Sequence, residues 1–189
     1  MSKTMIGVKV AVLAANGFDE KDFMAVQRAL ADAGASMRII STDPGLVNGW
    51  NGQGWGHNFA VDTQLNNALG VDYDALVIPG GTRSLDKLRL TAHTRRFIGS
   101  FMGAMKPLAV MGDALSLMVY AEQISGKTVS GSPAMEATAI KAGANWQETP
   151  VSMDGALVTG VCDDASRATF ISTMIELFEQ NTTLQKQAA

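Results

Sequence analysis

Two aspartates stand out as residues that could do chemistry, because each lies just beyond a turn that follows an apolar run. Asp22 comes after the Asn16-Gly17 turn, and Asp113 directly follows Met111-Gly112. Carboxylates that share a crevice can act as general acid and base, and a carboxylate can also serve as a nucleophile. One hypothesis is therefore an enzyme in which Asp22 activates a water, while the backbone N–H groups of Gly81 and Asp113 hold an oxyanion.

Two further acidic residues near the first turn have a simpler explanation. Asp19 and Glu20 open the predicted first helix, where negative side chains stabilise the positive end of the helix dipole. Asp22 lies one turn further in, so we expect its side chain to face the crevice.

The remaining candidate side chains are assigned structural roles. Cys162 precedes the last helix, so we expect a half-buried thiol, with a redox or metal role as the alternative. His57 and His93 are expected at the surface or at a helix cap. Trp50 and Trp55 are large apolar groups in a Gly-rich loop, and such residues often bury against a second subunit. They predict a homo-oligomer, with a dimer as the first expectation.

Composition argues against several functional classes. The chain has 189 residues, a net charge of -3 and no Lys/Arg stripe, so we expect no nucleic-acid partner. No apolar run approaches the roughly 20 residues that a membrane-spanning helix needs. A single cysteine and the lack of a signal-peptide pattern favour the cytoplasm. Because there are two histidines and no Gly-x-Gly-x-x-Gly turn after the first strand, we expect no metal and no other cofactor.

Short β-branched runs alternate with amphipathic segments along the chain. This alternation is typical of a flavodoxin-like, doubly wound α/β fold, with a mostly parallel sheet and helices on both faces. One domain is expected over residues 1–180, with a flexible tail at 181–189. We predict strands at 8–13, 37–41, 74–78, 107–111, 128–129, 151–153 and 156–159, helices at 23–33, 91–105, 114–122, 134–142 and 164–179, and a hairpin-like excursion at 44–70.

Three strand ends are predicted to meet. In an open parallel sheet, ligands bind beyond the carboxyl ends of the strands. Those ends are Ala14-Ala15-Asn16-Gly17, Pro79-Gly80-Gly81 and Met111-Gly112-Asp113. We therefore expect the three turns to line one crevice.

Several segments resemble a known family in their order and spacing. They are 74–81 with its Pro-Gly-Gly turn, Leu88-Arg89-Leu90, Lys106-Pro107, 142–146 and 151–159. On these segments the chain resembles the ThiJ/PfpI superfamily of class I glutamine amidotransferase-like proteins, over about residues 7–180. The stretches 106–114 and 10–30 are also similar to the C-terminal domain of large-subunit catalases.

The resemblance implies a specific role for each turn. Active members carry a cysteine on a strained strand-to-helix elbow, an acid from the first helix that binds the thiol, and a Pro-Gly-Gly turn that donates N–H groups to an oxyanion. By this resemblance Gly112 stands at the cysteine position and Asp113 at that of the following histidine. Asp22 matches the acid, and Gly80 and Gly81 match the oxyanion turn. These five residues form what we call the vestigial pocket, which keeps the acid and lacks the thiol, as the catalase domains do.

The missing nucleophile decides the functional prediction. A glycine removes the strain of roughly 1 to 3 kcal/mol that an elbow imposes on other residues. Asp113 is a poor replacement, because its side chain leaves the elbow one residue late and no histidine lies nearby in sequence. We predict a catalytically silent domain with a stress-related, assembly or chaperone-like role, or one that binds a small ligand in the residual crevice. The alternative is a thiol-independent hydrolase, glyoxalase or deglycase that uses Asp22 and Asp113.

Overall fold

A seven-stranded sheet forms the centre of the part of the chain, residues 3–188, that the computed structural model describes. The strands, including the short ones outside this sheet, are β1 Lys9–Leu13, β2 Phe18–Asp19, β3 Ser36–Ser41, β4 Leu46–Trp50, β5 Trp55–Ala60, β6 Thr63–Gln64, β7 Ala75–Ile78, β8 Leu108–Met111, β9 Thr128–Val129, β10 Asn145–Trp146, β11 Val151–Asp154 and β12 Leu157–Gly160. Those of the seven-stranded sheet run in the order β11-β12-β8-β7-β1-β3-β6, and every neighbouring pair is parallel except β11 and β12.

Helices cover both faces of this sheet, so the predicted doubly wound α/β architecture is confirmed. They are α1 Glu20–Ala33, α2 Thr82–Leu88, α3 Ala92–Gly103, α4 Leu115–Tyr120, α5 Glu136–Lys141 and α6 Arg167–Ala188. One apolar core contains residues of α2 to α5, and the other contains residues of α1 and α6. The strands between them are buried on both faces, which explains why the central runs are almost wholly apolar.

The excursion at 44–70 and the Asp154-Gly155 turn form hairpins, as the sequence predicts. Strands β4 and β5 pair antiparallel, and β2 joins them to form a small separate sheet. Strands β11 and β12 pair antiparallel across Asp154-Gly155 at one edge of the main sheet. Both hairpins therefore add antiparallel strands to a fold that is otherwise wound from parallel units.

Two helices differ from the prediction. Helix α2 is not predicted by the sequence pattern, and α6 begins at Arg167 and not at residue 164. The later start follows from a local turn in which Asp163 Oδ1 accepts hydrogen bonds from the Ser166 N–H (2.8 Å) and hydroxyl (2.6 Å). Helix α6 also continues beyond residue 179 to Ala188, so most of the predicted tail is helical. The flexibility of residues 181–189 stays a prediction. Within residues 3–188, no helix has the length and apolar character needed to cross a membrane.

Candidate functional site

The three predicted turns do converge, because they follow the adjacent central strands β1, β7 and β8. Backbone and side-chain hydrogen bonds tie them together. The Asp19 N–H donates to the Gly80 carbonyl at 2.7 Å, and the Ala15 N–H donates to the Ser84 hydroxyl at 2.8 Å. The parallel register of the central strands thus places Asp22, Gly80, Gly81, Gly112 and Asp113 in one small volume.

Gly112 occupies a strand-to-helix elbow. Its φ of +56° lies in the left-handed region, and the residue is buried between β8 and α4. A Cβ built there would meet one atom within 4 Å, the Val161 carbonyl oxygen at 3.2 Å. The elbow therefore has nearly enough space for a small side chain, but the sequence supplies none.

Asp22 lies in the first turn of α1 and is buried, with 4% of its surface exposed. Its Oδ1 accepts a hydrogen bond from Arg167 Nε at 2.8 Å, and its Oδ2 accepts one from the Gly80 N–H at 3.3 Å. Burial, reinforced by the nearby carboxylate of Asp19, raises the pKa of Asp22 to about 6, although Arg167 and the Gly80 N–H oppose the shift. The carboxyl group is thus a buried titratable group, and each of its oxygens already accepts a hydrogen bond from the protein.

Asp113 is bonded to the residues that join β7 to α2. Its Oδ1 accepts the Gly81 N–H at 3.0 Å, and its Oδ2 accepts the Thr82 hydroxyl at 3.1 Å. The Gly81 N–H, which one hypothesis assigns to an oxyanion, is thus bonded to a carboxylate of the protein, and its role towards a ligand stays a prediction.

Gly80 lies between the two carboxylates. A Cβ added to it would lie 2.7 Å from Asp113 Oδ1 and 3.1 Å from Asp22 Oδ2. Only glycine allows both oxygens to approach the turn this closely. Both N–H groups of the Pro-Gly-Gly turn, Gly80 and Gly81, are thus bonded to side chains of the protein.

Arg167, the first residue of α6, is the residue of this site that sequence reasoning missed. Besides Asp22, its guanidinium binds the Asp164 carboxylate (2.9 Å) and the Cys162 carbonyl oxygen (2.9 Å). Burial alone would lower the pKa of Arg167, but the two carboxylates raise it above its usual value. The side chain is 17% exposed and links α1, the loop after β12 and α6.

Cys162 is more deeply buried than expected, with 6% of its surface exposed, and its φ is +58°. Burial is the main cause that raises the pKa of its thiol, and the Asp22 carboxylate adds to this, while the Gly112 N–H and Arg167 act in the opposite direction. The sulfur is therefore a neighbour of both the elbow and Asp22, although Cys162 lies in the loop after β12.

The histidines lie outside this site. His57 bonds through Nδ1 to Glu20 Oε1, and its side chain is 79% exposed. Glu20 also accepts the His57 N–H at 2.9 Å, so its carboxylate is bonded to β5 as well as lying at a helix start. His93 lies in the first turn of α3, where its N–H donates to the Thr91 hydroxyl. Both match the expected surface and cap positions.

The two tryptophans of the small sheet form an edge-on pair at the surface. The ring centroids of Trp50 and Trp55 are 5.4 Å apart, and the Arg83 guanidinium carbon lies 4.2 Å from the centre of the Trp50 ring. Trp55 remains 57% exposed. The oligomer that these residues predict stays a prediction.

Comparison with solved structures places this geometry in a known fold. A ThiJ/PfpI domain protein from Brachyspira murdochii superposes with a TM-score of 0.82 at 20% identity, over 93% of this chain and 98% of that one. A two-domain protein from Anabaena variabilis, with DJ-1/ThiJ/PfpI-like and ferritin-like domains, gives a TM-score of 0.83 at 24% identity. That match covers 89% of this chain and 47% of the other. These likenesses show the fold alone.

Sequence comparison with curated proteins gives three informative relatives. General stress protein 18 of Bacillus subtilis is 27% identical over 84% of this chain and 92% of its own length. Deglycase PH1704 of Pyrococcus horikoshii is 26% identical over 78% of this chain and 86% of its own length. Protein DJ-1 homolog D of Arabidopsis thaliana is 34% identical over 56% of this chain, and the match spans 28% of that longer protein.

A family model confirms the predicted superfamily. The model described as the DJ-1/PfpI family matches residues 8–177. This span contains all five residues of the vestigial pocket together with Cys162 and Arg167. The chain belongs to the DJ-1/PfpI family.

Proposed function

We propose that this chain is a catalytically silent member of the DJ-1/PfpI family. The proposal rests on the residues of the vestigial pocket. Gly112 offers no nucleophile, and the Gly80 and Gly81 N–H groups are bonded to Asp22 and Asp113. A substrate carbonyl would have to displace a carboxylate from each donor. Hydrogen bonds to charged groups are worth about 1.5–3 kcal/mol each, so this displacement opposes binding in the orientation that catalysis needs.

A thiol-independent hydrolase, glyoxalase or deglycase remains the alternative, and the name of the relative Deglycase PH1704 favours it. It would use Asp22 as general base, with Asp113 assisting. Asp22 is 4% exposed and bonded to Arg167 and Gly80, so a water molecule could reach it only after the ion pair opens. Because the Asp22–Arg167 ion pair must first open, we favour the catalytically silent domain over the thiol-independent enzyme.

An enzyme that uses the Cys162 thiol is a further alternative, because Cys162 lies beside the elbow and Asp22. The attacking species would be the thiolate. The pKa of Cys162 is raised well above its ordinary value, mainly by burial, so the group stays protonated at neutral pH. The position of Cys162 beside the elbow and Asp22 therefore favours a catalytic thiol, but a thiol that stays protonated is a poor nucleophile.

We also propose that the chain has a non-catalytic physiological role, either as a stress-related, assembly or chaperone-like module or as a domain that binds a small ligand. The name General stress protein 18 supports the stress-related role. We further propose that the protein is cytoplasmic and forms a homo-oligomer. We also propose that residues 1–180 form a single domain with a special likeness to the C-terminal domain of large-subunit catalases. Sedimentation velocity of the wild type and of Trp55→Ser tests the oligomer, since Trp55 is the exposed member of the pair.

The functional test is a comparison of turnover by the wild type, Asp22→Asn and Cys162→Ser with glyoxal, methylglyoxal and amino esters. We expect the three proteins to give the same rate, equal to that of a buffer or contaminant background. A wild-type rate that disappears in Asp22→Asn but persists in Cys162→Ser would establish the thiol-independent enzyme. A rate that disappears in Cys162→Ser would establish the thiol enzyme, whether or not Asp22→Asn keeps it. A contaminating activity of the host would instead persist in all three proteins, because it does not depend on Asp22 or Cys162.

A further inference from the structure

A cavity of about 540 Å³ lies beside the vestigial pocket. We call it the acidic cavity and define it by the lining residues Pro133, Glu136, Trp146, Glu148, Val161 and Asp163. It adjoins the elbow, because the Val161 carbonyl oxygen would lie 3.2 Å from a Cβ on Gly112. The volume falls in the range of about 300–1,000 Å³ that is usual for small-molecule sites.

The charge of this cavity has one sign. Glu136, Glu148 and Asp163 line it, and no Lys, Arg or His does so among the described residues. Asp163 is engaged with Ser166, whose hydroxyl and N–H lower the pKa of that carboxyl group and keep it ionised. By contrast, the side chains of Glu136 and Glu148 have no hydrogen bond or ion pair within residues 3–188. The cavity therefore contains two carboxylates, one half-buried (Glu136) and one exposed (Glu148), that pair with no Lys, Arg or His side chain of the described residues.

The remaining lining is largely apolar. Trp146 is half-buried in the wall, where its Cη2 would lie 3.7 Å from a Cβ on Gly131. Pro133, Pro150 and Val161 continue the apolar lining. An aromatic ring and carboxylates thus line the same cavity, a combination suited to organic cations, since the ring quadrupole and the carboxylates both attract positive charge.

We propose that the acidic cavity binds a small organic cation, an amine or quaternary ammonium whose apolar body packs against Trp146. The carboxylates of Glu136 and Glu148 supply the charge complementarity. This inference does not depend on the silence of the elbow, because none of the groups that carry it belongs to the vestigial pocket.

The test is calorimetric and NMR titration of the full chain with benzylammonium, alongside the isosteric controls benzyl alcohol and benzoate. We expect saturable binding of benzylammonium that shifts the Trp146 indole resonance, assigned with Trp146→Phe. Benzyl alcohol should bind more weakly, and benzoate should not bind. Equal binding of benzylammonium and benzyl alcohol, or no saturable binding of benzylammonium, would overturn the proposal.

Matched variants locate the charge that is responsible. Replacing one exposed ion pair changes affinity by up to about fivefold, so the double variant Glu136→Gln/Glu148→Gln should bind benzylammonium roughly tenfold more weakly. Glu176→Gln removes an exposed acid that does not line the cavity and should leave the affinity unchanged. If Glu176→Gln weakened binding as much as the double variant, the effect would be general surface charge and the assigned site would be wrong.

Discussion

The vestigial pocket and the acidic cavity are neighbours, yet their carboxylates are treated differently by the fold. In the pocket, Asp22 is bonded to Arg167 and Gly80, and Asp113 is bonded to Gly81 and Thr82. In the cavity, the carboxylates of Glu136 and Glu148 have no such partners among residues 3–188. A carboxylate whose oxygens already bind protein donors is less available to a ligand, whereas one without such partners is free to bind it. The family resemblance alone would indicate the vestigial pocket as the ligand site, whereas the pattern of hydrogen bonds favours the acidic cavity.

The largest expected effect comes from breaking the ion pair that closes the pocket. Arg167→Met removes the guanidinium from Asp22 and leaves a buried carboxylate without its cation. Loss of one partner of a buried pair costs about 3–5 kcal/mol, so urea unfolding at pH 8 should show a loss of this size. The loss should be smaller at pH 5, where Asp22 is protonated because its pKa is about 6.

Arg38→Met is the matched control for that experiment. Arg38 pairs with Asp62 at 3.8 Å, but the two side chains are 49% and 37% exposed. An exposed pair contributes about 0–1 kcal/mol, so the control should change stability little at either pH. If both variants cost the same, the pocket would not be held by a buried pair.

The second effect is a pH dependence carried by Asp22. Its folded pKa of about 6 lies above the ordinary value of 3.8, so the folded state binds the proton more tightly than the unfolded state. The contribution of Asp22 to stability is therefore fully present below pH 3.8 and is lost as the pH rises through 6. A shift of two units corresponds to about 3 kcal/mol.

The measurement is the free energy of unfolding of the wild type and Asp22→Asn from pH 4 to pH 8. The asparagine cannot ionise, so the wild type should lose stability relative to the variant as the pH increases. A difference that stays constant, or that grows in favour of the wild type at high pH, would show that Asp22 is not a desolvated carboxyl group.

The smallest effect concerns the elbow itself. Gly112→Ala places a Cβ at φ +56°, which costs about 1–2 kcal/mol, and adds a tight contact with the Val161 carbonyl oxygen. Gly155→Ala is the control, because its φ is +59° and no atom lies within 4 Å of the added Cβ. Thermal unfolding should show that Gly112→Ala costs slightly more. A larger loss in Gly155→Ala would mean that the elbow is not crowded by the loop after β12.

The sequence predicts the convergence of the three turns because strand ends are local features and parallel strands align them. It also predicts Asp22 and Gly112 as pocket residues, through the family resemblance. It could not reveal Arg167, since the contact with Asp22 joins residues 145 positions apart and no local pattern marks it. The same reason applies to Cys162, whose thiol reaches the elbow only because β12 lies beside β8. Nor does a motif show whether the Pro-Gly-Gly N–H groups are free, because this depends on where the side chains of Asp22 and Asp113 lie.

The most direct test of the closed pocket is ¹⁵N NMR of the Gly80 and Gly81 backbone amides during titration with acetamide, an unreactive carbonyl compound. The hydrogen bonds to Asp22 and Asp113 predict that neither amide resonance shifts saturably at neutral pH. They also predict that the Gly80 resonance moves with a midpoint near pH 6 as Asp22 ionises. Saturable shifts of both amides on addition of acetamide would show that the donors are free to bind a carbonyl, and would contradict the assignment of a silent pocket.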